Sequence, residues 1–134
     1  MTAGGTGKAS SYGNRESILS MIPADRVYLK CGYVDMRRSI DGLAAMVQQV
    51  FKLDPCERNL YLFCGRQSDR IKALYYEGDG YILLYKRLER GRFRWPRRES
   101  EVRQISERQL RWLLEGLSIE QPNAIPMTQP RMIV

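Results

Sequence analysis

NLYLFCGRQSDRIKALYYEGDGYILLYKRL, Asn59 to Leu88, is the stretch whose reading decides the fold. It holds three runs rich in Leu, Ile, Tyr and Phe, each of strand length and each followed by turn residues. NLYLFC is a strand of strong β formers, GRQSD is a turn, and IKALYYE is the next strand. EGDG marks a tight hairpin, because Gly78 and Gly80 accept positive φ without a Cβ clash. YILLYKRL then runs back. Strands joined this closely form an antiparallel meander.

Working toward the N-terminus, DRVYLKCG from Asp25 alternates Val27, Leu29 and Cys31 with polar neighbours and reads as a first strand. Asp35 stands where an N-cap belongs, ahead of MRRSIDGLAAMVQQVF. Met36, Ile40, Leu43, Val47, Val50 and Phe51 recur there at steps of three or four, the mark of an amphipathic helix. Gly42 within it costs about 1 kcal/mol against Ala, so a close neighbour is expected. Leu53-Asp54-Pro55 ends the helix, since the residue before Pro is biased out of helical geometry.

Toward the C-terminus, ERGR reads as a second hairpin turn, FRW as a fifth strand stopped by Pro96, and EVRQI as a short sixth. Ser106 and Gln109 form a capping box that opens a helix with Leu110, Leu113, Leu114 and Leu117 on its apolar side, and Gly116 lies at its stop. The expected fold class is α+β. It is an antiparallel β-meander of about five strands, with an amphipathic helix after strand 1 and a C-terminal helix, both covering one face. Residues 1–22 read as a flexible Gly/Ser-rich leader, 23–117 as the single domain. Residues 118–134 read as a Pro-containing tail, disordered or ordered by a partner.

Composition narrows the chemistry. The 134 residues include no His, which removes Ser-His-Asp and Cys-His catalysis. Cys31, Cys56 and Cys64 form no CxxC, and a zinc site would need all three thiolates plus a distant carboxylate. Reduced thiols packed as small apolar groups are expected instead, with no metal and no cofactor. No apolar run approaches the length of a membrane span, and a bacterial cytoplasmic location is expected.

Charge is local. The whole chain carries +7, and Tyr85–Arg98, YKRLERGRFRWPRR, carries +6 of it, from seven Lys or Arg and one Glu. Such clustering is the electrostatic footprint of a nucleic-acid binder. With Arg90 and Gly91 at the turn, the expected hairpin sets Leu88 against Phe93, Arg87 against Arg94 and Lys86 against Trp95. Period-two alternation sends Ile82, Leu84, Leu88, Phe93 and Trp95 to the core. Arg87 facing Arg94 is a like-charge pair that an anion would relieve. Lys86, Arg87, Arg90, Arg92, Arg94, Arg97 and Arg98 are therefore candidates for phosphate contact, with Tyr85 for sugar or base contact. A solvated hairpin face accounts for the same residues. Arg37 and Arg38, in the expected first helical turn, oppose the helix dipole unless an anion sits there. Arg37 joins the candidates, and Arg38 is expected to be solvated or paired with Asp41.

The acidic residues do not assemble a metal site on paper. Asp35 reads as a cap, Asp41 as a helical pair, and Glu77 and Asp79 as turn residues; Asp69 with Lys72 lacks the second acidic group of a nuclease pair. No catalytic residue is assigned.

Read together, VDMRRSIDGLAAMVQQ and FCGRQSDRIKALYYEGDGYILLYKRLERGRFRWP resemble the TnpB-type proteins, the second open reading frame, of insertion-sequence-66-like transposable elements. The resemblance runs from about Val27 to Gly116. It implies a non-catalytic accessory protein of transposition, acting beside a separate catalytic transposase. It adds Arg66, Arg70 and Lys72 to the residues expected to contact DNA, duplex or single-stranded. The alternatives are an adaptor that docks the catalytic transposase and, third, a metal-dependent nuclease. Oligomeric state is unknown from sequence.

Overall fold

The computed structural model describes residues 16–98 and 102–127. A five-stranded sheet has the order β4-β3-β2-β1-β5. The strands are β1 (Arg26–Lys30), β2 (Asn59–Cys64), β3 (Arg70–Tyr76), β4 (Tyr81–Arg87) and β5 (Val102–Ile105). The meander expected from Asn59–Leu88 is present: β2, β3 and β4 pair antiparallel in sequence order. β1 lies parallel to β2, and β5 returns antiparallel on the far side of β1. A parallel neighbour requires a crossover, and α1 (Ile40–Met46), prolonged by a π-type turn over Val47–Phe51, supplies it. Lys52 ends that helix in the left-handed region, φ 59°, where the Val47 carbonyl accepts from Leu53 N–H at 3.1 Å.

β2 is buried along its whole length, as the middle strand of a sheet covered on both sides must be. The expectation that both helices cover one face does not hold. Leu43, Val47 and Phe51 of α1 pack with Tyr61, Phe63 and Leu74 on one face. Leu110 and Leu113 of α2 (Glu107–Leu114) pack with Leu60, Leu62 and Ile71 on the other. Period-two alternation within β2 explains it: both sets of side chains are large and apolar, so each needs a cover. The Ser106 capping box forms as expected, with Gln109 N–H on Ser106 Oγ at 3.1 Å and Ser106 N–H on Gln109 Oε1 at 2.9 Å.

Asp35 does not cap the helix. The chain makes a turn at Asp35–Arg38, with Arg38 N–H on the Asp35 carbonyl at 3.1 Å, and α1 starts at Ile40 after Ser39. Arg37 and Arg38 therefore precede the helix rather than facing its dipole. Gly42 has only the Arg38 stem near it, at an ordinary 3.6 Å from where a Cβ would stand. Close packing is found at Gly65 instead, where a Cβ would lie 2.7 Å from Met36 Cγ.

The largest difference from expectation is after β4. FRW is not a strand and ERGR is not a hairpin turn. Leu88 N–H bonds to the Asp69 carbonyl at 2.8 Å and Phe93 N–H to the Ser68 carbonyl at 2.7 Å. The intervening loop is thus tied at both ends to the β2–β3 turn. The chain then crosses the sheet end, where Pro96 accepts from Gly32 N–H at 2.8 Å and Trp95 Nε1–H reaches the Lys30 carbonyl at 2.8 Å. A hairpin on β4 could not make that last bond, because β2 and β3 stand between β4 and β1. Phe93 and Trp95 are in the core as expected, but they anchor a crossing to β5, the strand that EVRQI supplies.

Packing also extends past the expected domain limits. Leu19, in a short 3₁₀ turn over Ile18–Met21, and Ile119, after α2, are both core residues. Glu120 pairs with Arg103 at 2.8 Å, and Arg108 donates to the Ile125 carbonyl at 2.7 Å.

Candidate nucleic-acid interface

One end of the sheet collects the C-terminal ends of β1, β2 and β4 and the N-terminal ends of β3 and β5. Three separate segments meet there: 31–38 after β1, the β2–β3 turn at 65–69, and 88–98 after β4. Nearly every cation nominated from sequence lies on them or on the adjoining strand ends. They are Arg37, Arg66, Arg70, Arg87, Arg90, Arg92, Arg94, Arg97 and Arg98, with Lys72 and Lys86 one or two residues in.

Why the local sequence puts them there is simple. The Gly65–Ser68 turn is tight, with Ser68 N–H on the Gly65 carbonyl at 3.0 Å and Ser68 itself at φ 62°. Its tip side chains, Arg66 and Gln67, are left exposed while Ser68 is buried. Gly91, at φ 83°, lets the loop between Leu88 and Phe93 reverse, so Glu89, Arg90 and Arg92 face solvent.

The like-charge pair expected between Arg87 and Arg94 is replaced by another. Arg87 stands directly opposite Arg70, and Lys72 opposite Tyr85. Facing residues of an antiparallel pair share a face, so Arg70, Lys72, Tyr85 and Arg87 form a patch on the α1 side. Asp69 sits beside Arg70, with Oδ1 3.6 Å from Nε. Lys72 is partly committed, donating to the Arg38 carbonyl at 2.6 Å, with its ammonium 5.6 Å from the Tyr85 ring centroid. Tyr85 remains 53% exposed, enough to present a ring face.

Arg37 is spoken for. Asp35 accepts from its backbone N–H at 2.9 Å, from Nε and from Nη2, the last at 2.8 Å. The guanidinium holds the Asp35 carboxyl down at about 2, and the carboxylate in turn raises Arg37 above its ordinary value. This pair adds almost no net charge. Arg66, Arg87, Arg90, Arg92 and Arg94, by contrast, have no carboxylate partner among the described residues.

Lys86 faces away from Arg87. It lies opposite Ile71, beside a cleft of about 470 Å³ shared with Leu19 and Leu84. Arg94 and Arg97 border a second cleft, about 460 Å³, over Phe93, Trp95 and Ile119. Arg97 also lies over the Tyr33 ring, 5.1 Å from its centroid. Arg103 lines that cleft and is absent from the sequence-based candidates. Its signal is present, since alternation in VRQI puts Arg103 on the same face as buried Ile105. The nominated residues thus share one end of the sheet but not one face. Among the described residues, no three carboxylates, thiols or imidazoles are grouped to hold a metal ion.

A family profile described as "IS66 Orf2 like protein" matches residues 25–124, three quarters of the chain. The chain belongs to the IS66 Orf2-like family. Two curated relatives come from Sinorhizobium fredii (strain NBRC 101917 / NGR234). The protein y4hO is 42% identical over 97 residues, covering 72% of this chain and 84% of y4hO. The protein y4jC is 29% identical over 108 residues, covering 81% and 92% respectively. No solved structure matches. Membership of the IS66 Orf2-like family supports a transposition-associated accessory role, and the match encloses all three segments of the basic end.

Proposed function

We propose that this IS66 Orf2-like protein is a non-catalytic DNA-binding subunit of transposition that grips phosphates with the basic end of its sheet. The observation that carries the reading is the set of arginines without carboxylate partners among the described residues, Arg66 on the β2–β3 turn and Arg87, Arg90, Arg92 and Arg94 at and after the end of β4, gathered there by two distant chain segments. Holding Arg70 and Arg87 face to face costs Coulomb energy that an interposed phosphate would turn favourable. A solubility charge has no need of such convergence, since it is served equally well by scattered Lys and Arg.

Binding of this kind is mainly electrostatic, so affinity falls steeply with salt. Fluorescence anisotropy with a duplex and a single strand across a salt series checks it. Replacing Arg87 and Arg92 with Ala should weaken binding to every sequence alike and reduce the log–log salt slope by about two. Replacing Arg26 and Arg58, at the other end of the sheet, should leave both unchanged. A flat salt response, or equal losses from the two pairs, would overturn the assignment.

A further inference from the structure

The α1 side of β3 and β4 changes character along the strands. Leu74 and Leu83 stand opposite each other and pack with Leu43 and Val47 of α1. The next row toward the basic end is Lys72 opposite Tyr85, and the row after it is Arg70 opposite Arg87. Successive rows on one face are about 7 Å apart. A covered apolar row thus gives way to an aromatic one and then to a cationic one.

Tyr85 differs from the other described tyrosines. Tyr61 and Tyr75 donate to backbone carbonyls of distant segments, Tyr76 donates to that of Gly78, and the Tyr81 hydroxyl meets Cys56 Sγ at 3.4 Å. Tyr28 stacks on Tyr61, and Tyr33 lies under Arg97. Tyr85 alone among them is exposed, and its hydroxyl has no hydrogen-bond partner among the described residues. Lys72 sits over its ring, and the Arg38 carbonyl pins that ammonium at 2.6 Å. A cation over one face of the ring leaves the other face for a second partner.

The partner that uses the whole arrangement is flat, aromatic and tied to an anion about one row away. A nucleotide has that form: its base lies on Tyr85 and a neighbouring phosphate meets Arg70 and Arg87. In a duplex each base is stacked between its neighbours, so only an unpaired strand has a base face to offer. A duplex is instead read through its major groove, by a helix or a projecting two-stranded ribbon. The residues after β4 form no such ribbon, because Leu88 N–H and Phe93 N–H tie them back to the β2–β3 turn. What the patch presents is the face of the sheet itself.

We propose that Tyr85 is a stacking platform for an unpaired base, and that the DNA selected by this face is single-stranded. The proposal rests on the DNA-binding reading and names its substrate class.

Anisotropy with the full chain at one salt concentration tests it, using an oligothymidylate, an abasic strand of the same length and a duplex of that length. A purely electrostatic grip favours the duplex, which has one charge per about 1.7 Å of axis. The oligothymidylate should instead bind more tightly than the duplex, and about tenfold more tightly than the abasic strand, as one stacked base provides. Tyr85→Ala should erase the difference between thymine-bearing and abasic strands, and Tyr85→Phe, which keeps the ring, should keep it. The three ligands on the unaltered protein carry the test by themselves should the Ala variant fold poorly. A duplex bound more tightly than the oligothymidylate, equal affinity for the thymine-bearing and abasic strands, or a difference that survives Tyr85→Ala overturns the platform and leaves phosphate binding standing. Binding to none of the three ligands overturns both.

Discussion

The two ends of the sheet are made by the same five strands, yet they treat charge in opposite ways. At the end near Asp25, Asp54, Glu57, Glu77 and Asp79, polar groups are engaged in holding the chain. Arg58 donates to the Pro23 carbonyl at 2.9 Å, Tyr75 donates to the same carbonyl at 3.0 Å, and Tyr61 donates to that of Asp54 at 3.0 Å. The β3–β4 connection there is a short turn closed by Glu77 N–H on the Gly80 carbonyl at 2.8 Å. At the basic end the connections are longer, are fastened by backbone bonds and buried aromatics, and leave Arg66, Arg87, Arg90 and Arg92 without a carboxylate partner among the described residues. The lesson is that fixing the chain and presenting charge are assigned to different residues there. Phe93, Trp95 and Ser68 do the first; Arg66, Arg87, Arg90 and Arg92 do the second.

The sharpest way to break this comparison is to remove an anchor. Trp95 is 4% exposed and its indole N–H satisfies the Lys30 carbonyl. Trp95→Ala should lower unfolding free energy by about 3–5 kcal/mol, measured by urea denaturation. Were residues 88–98 a free-standing hairpin, the same change would cost far less. DNA affinity should fall with it even though no arginine is touched, because the loop would lose its fixed position.

Two glycines near the Asp35–Arg38 turn provide the next test, because one is crowded and the other is not. A Cβ on Gly65 would meet Met36 Cγ at 2.7 Å, so Gly65→Ala should destabilise by about 1–3 kcal/mol. A Cβ on Gly42 meets only the Arg38 stem at 3.6 Å, and Gly42→Ala should stabilise by about 0.5–1 kcal/mol. Thermal unfolding of the two variants should shift in opposite directions. A Gly65→Ala variant as stable as the parent, or more so, would mean that Met36 is not held against the β2–β3 turn.

Much of this is legible in the sequence, and the gaps have a physical cause. Alternation reports which face a side chain takes, so Leu84, Leu88, Phe93 and Trp95 are placed inside correctly. It does not report which strand lies alongside, so a hairpin and a crossing look alike around Phe93. The facing of Arg70 and Arg87 is within reach: counting outward from EGDG pairs Tyr76 with Tyr81 and arrives at that pair six residues on. The helix start is misplaced because Asp35 satisfies a turn N–H two residues ahead, a bond that an N-cap and an Asx-turn both make. The approach of 65–69 to 88–98 follows from the β2–β3–β4 meander, but the arrival of 31–38 beside them is not legible, since it depends on β1 lying beside β2.

The smallest effect concerns a cation at the basic end that is already neutralised. Arg37 has a side chain 92% exposed, yet Asp35 holds it through bidentate contacts. The carboxyl is depressed from 3.8 to about 2, with the Arg37 side-chain hydrogen bond the leading cause and its backbone N–H next. A depressed carboxyl contributes stability that is present above its unfolded value and is lost as pH falls through the folded one. The turn should therefore stay closed through pH 4 and open only as pH falls from about 3.8 toward about 2. The carboxyl carbon shift of Asp35, followed by NMR, should titrate in that low range. A midpoint near the ordinary carboxylate value would show the pair to be open in solution. Arg37 would then join Arg66 and Arg87 as an uncommitted charge, and Arg37→Ala would weaken DNA binding as much as Arg87→Ala rather than hardly at all.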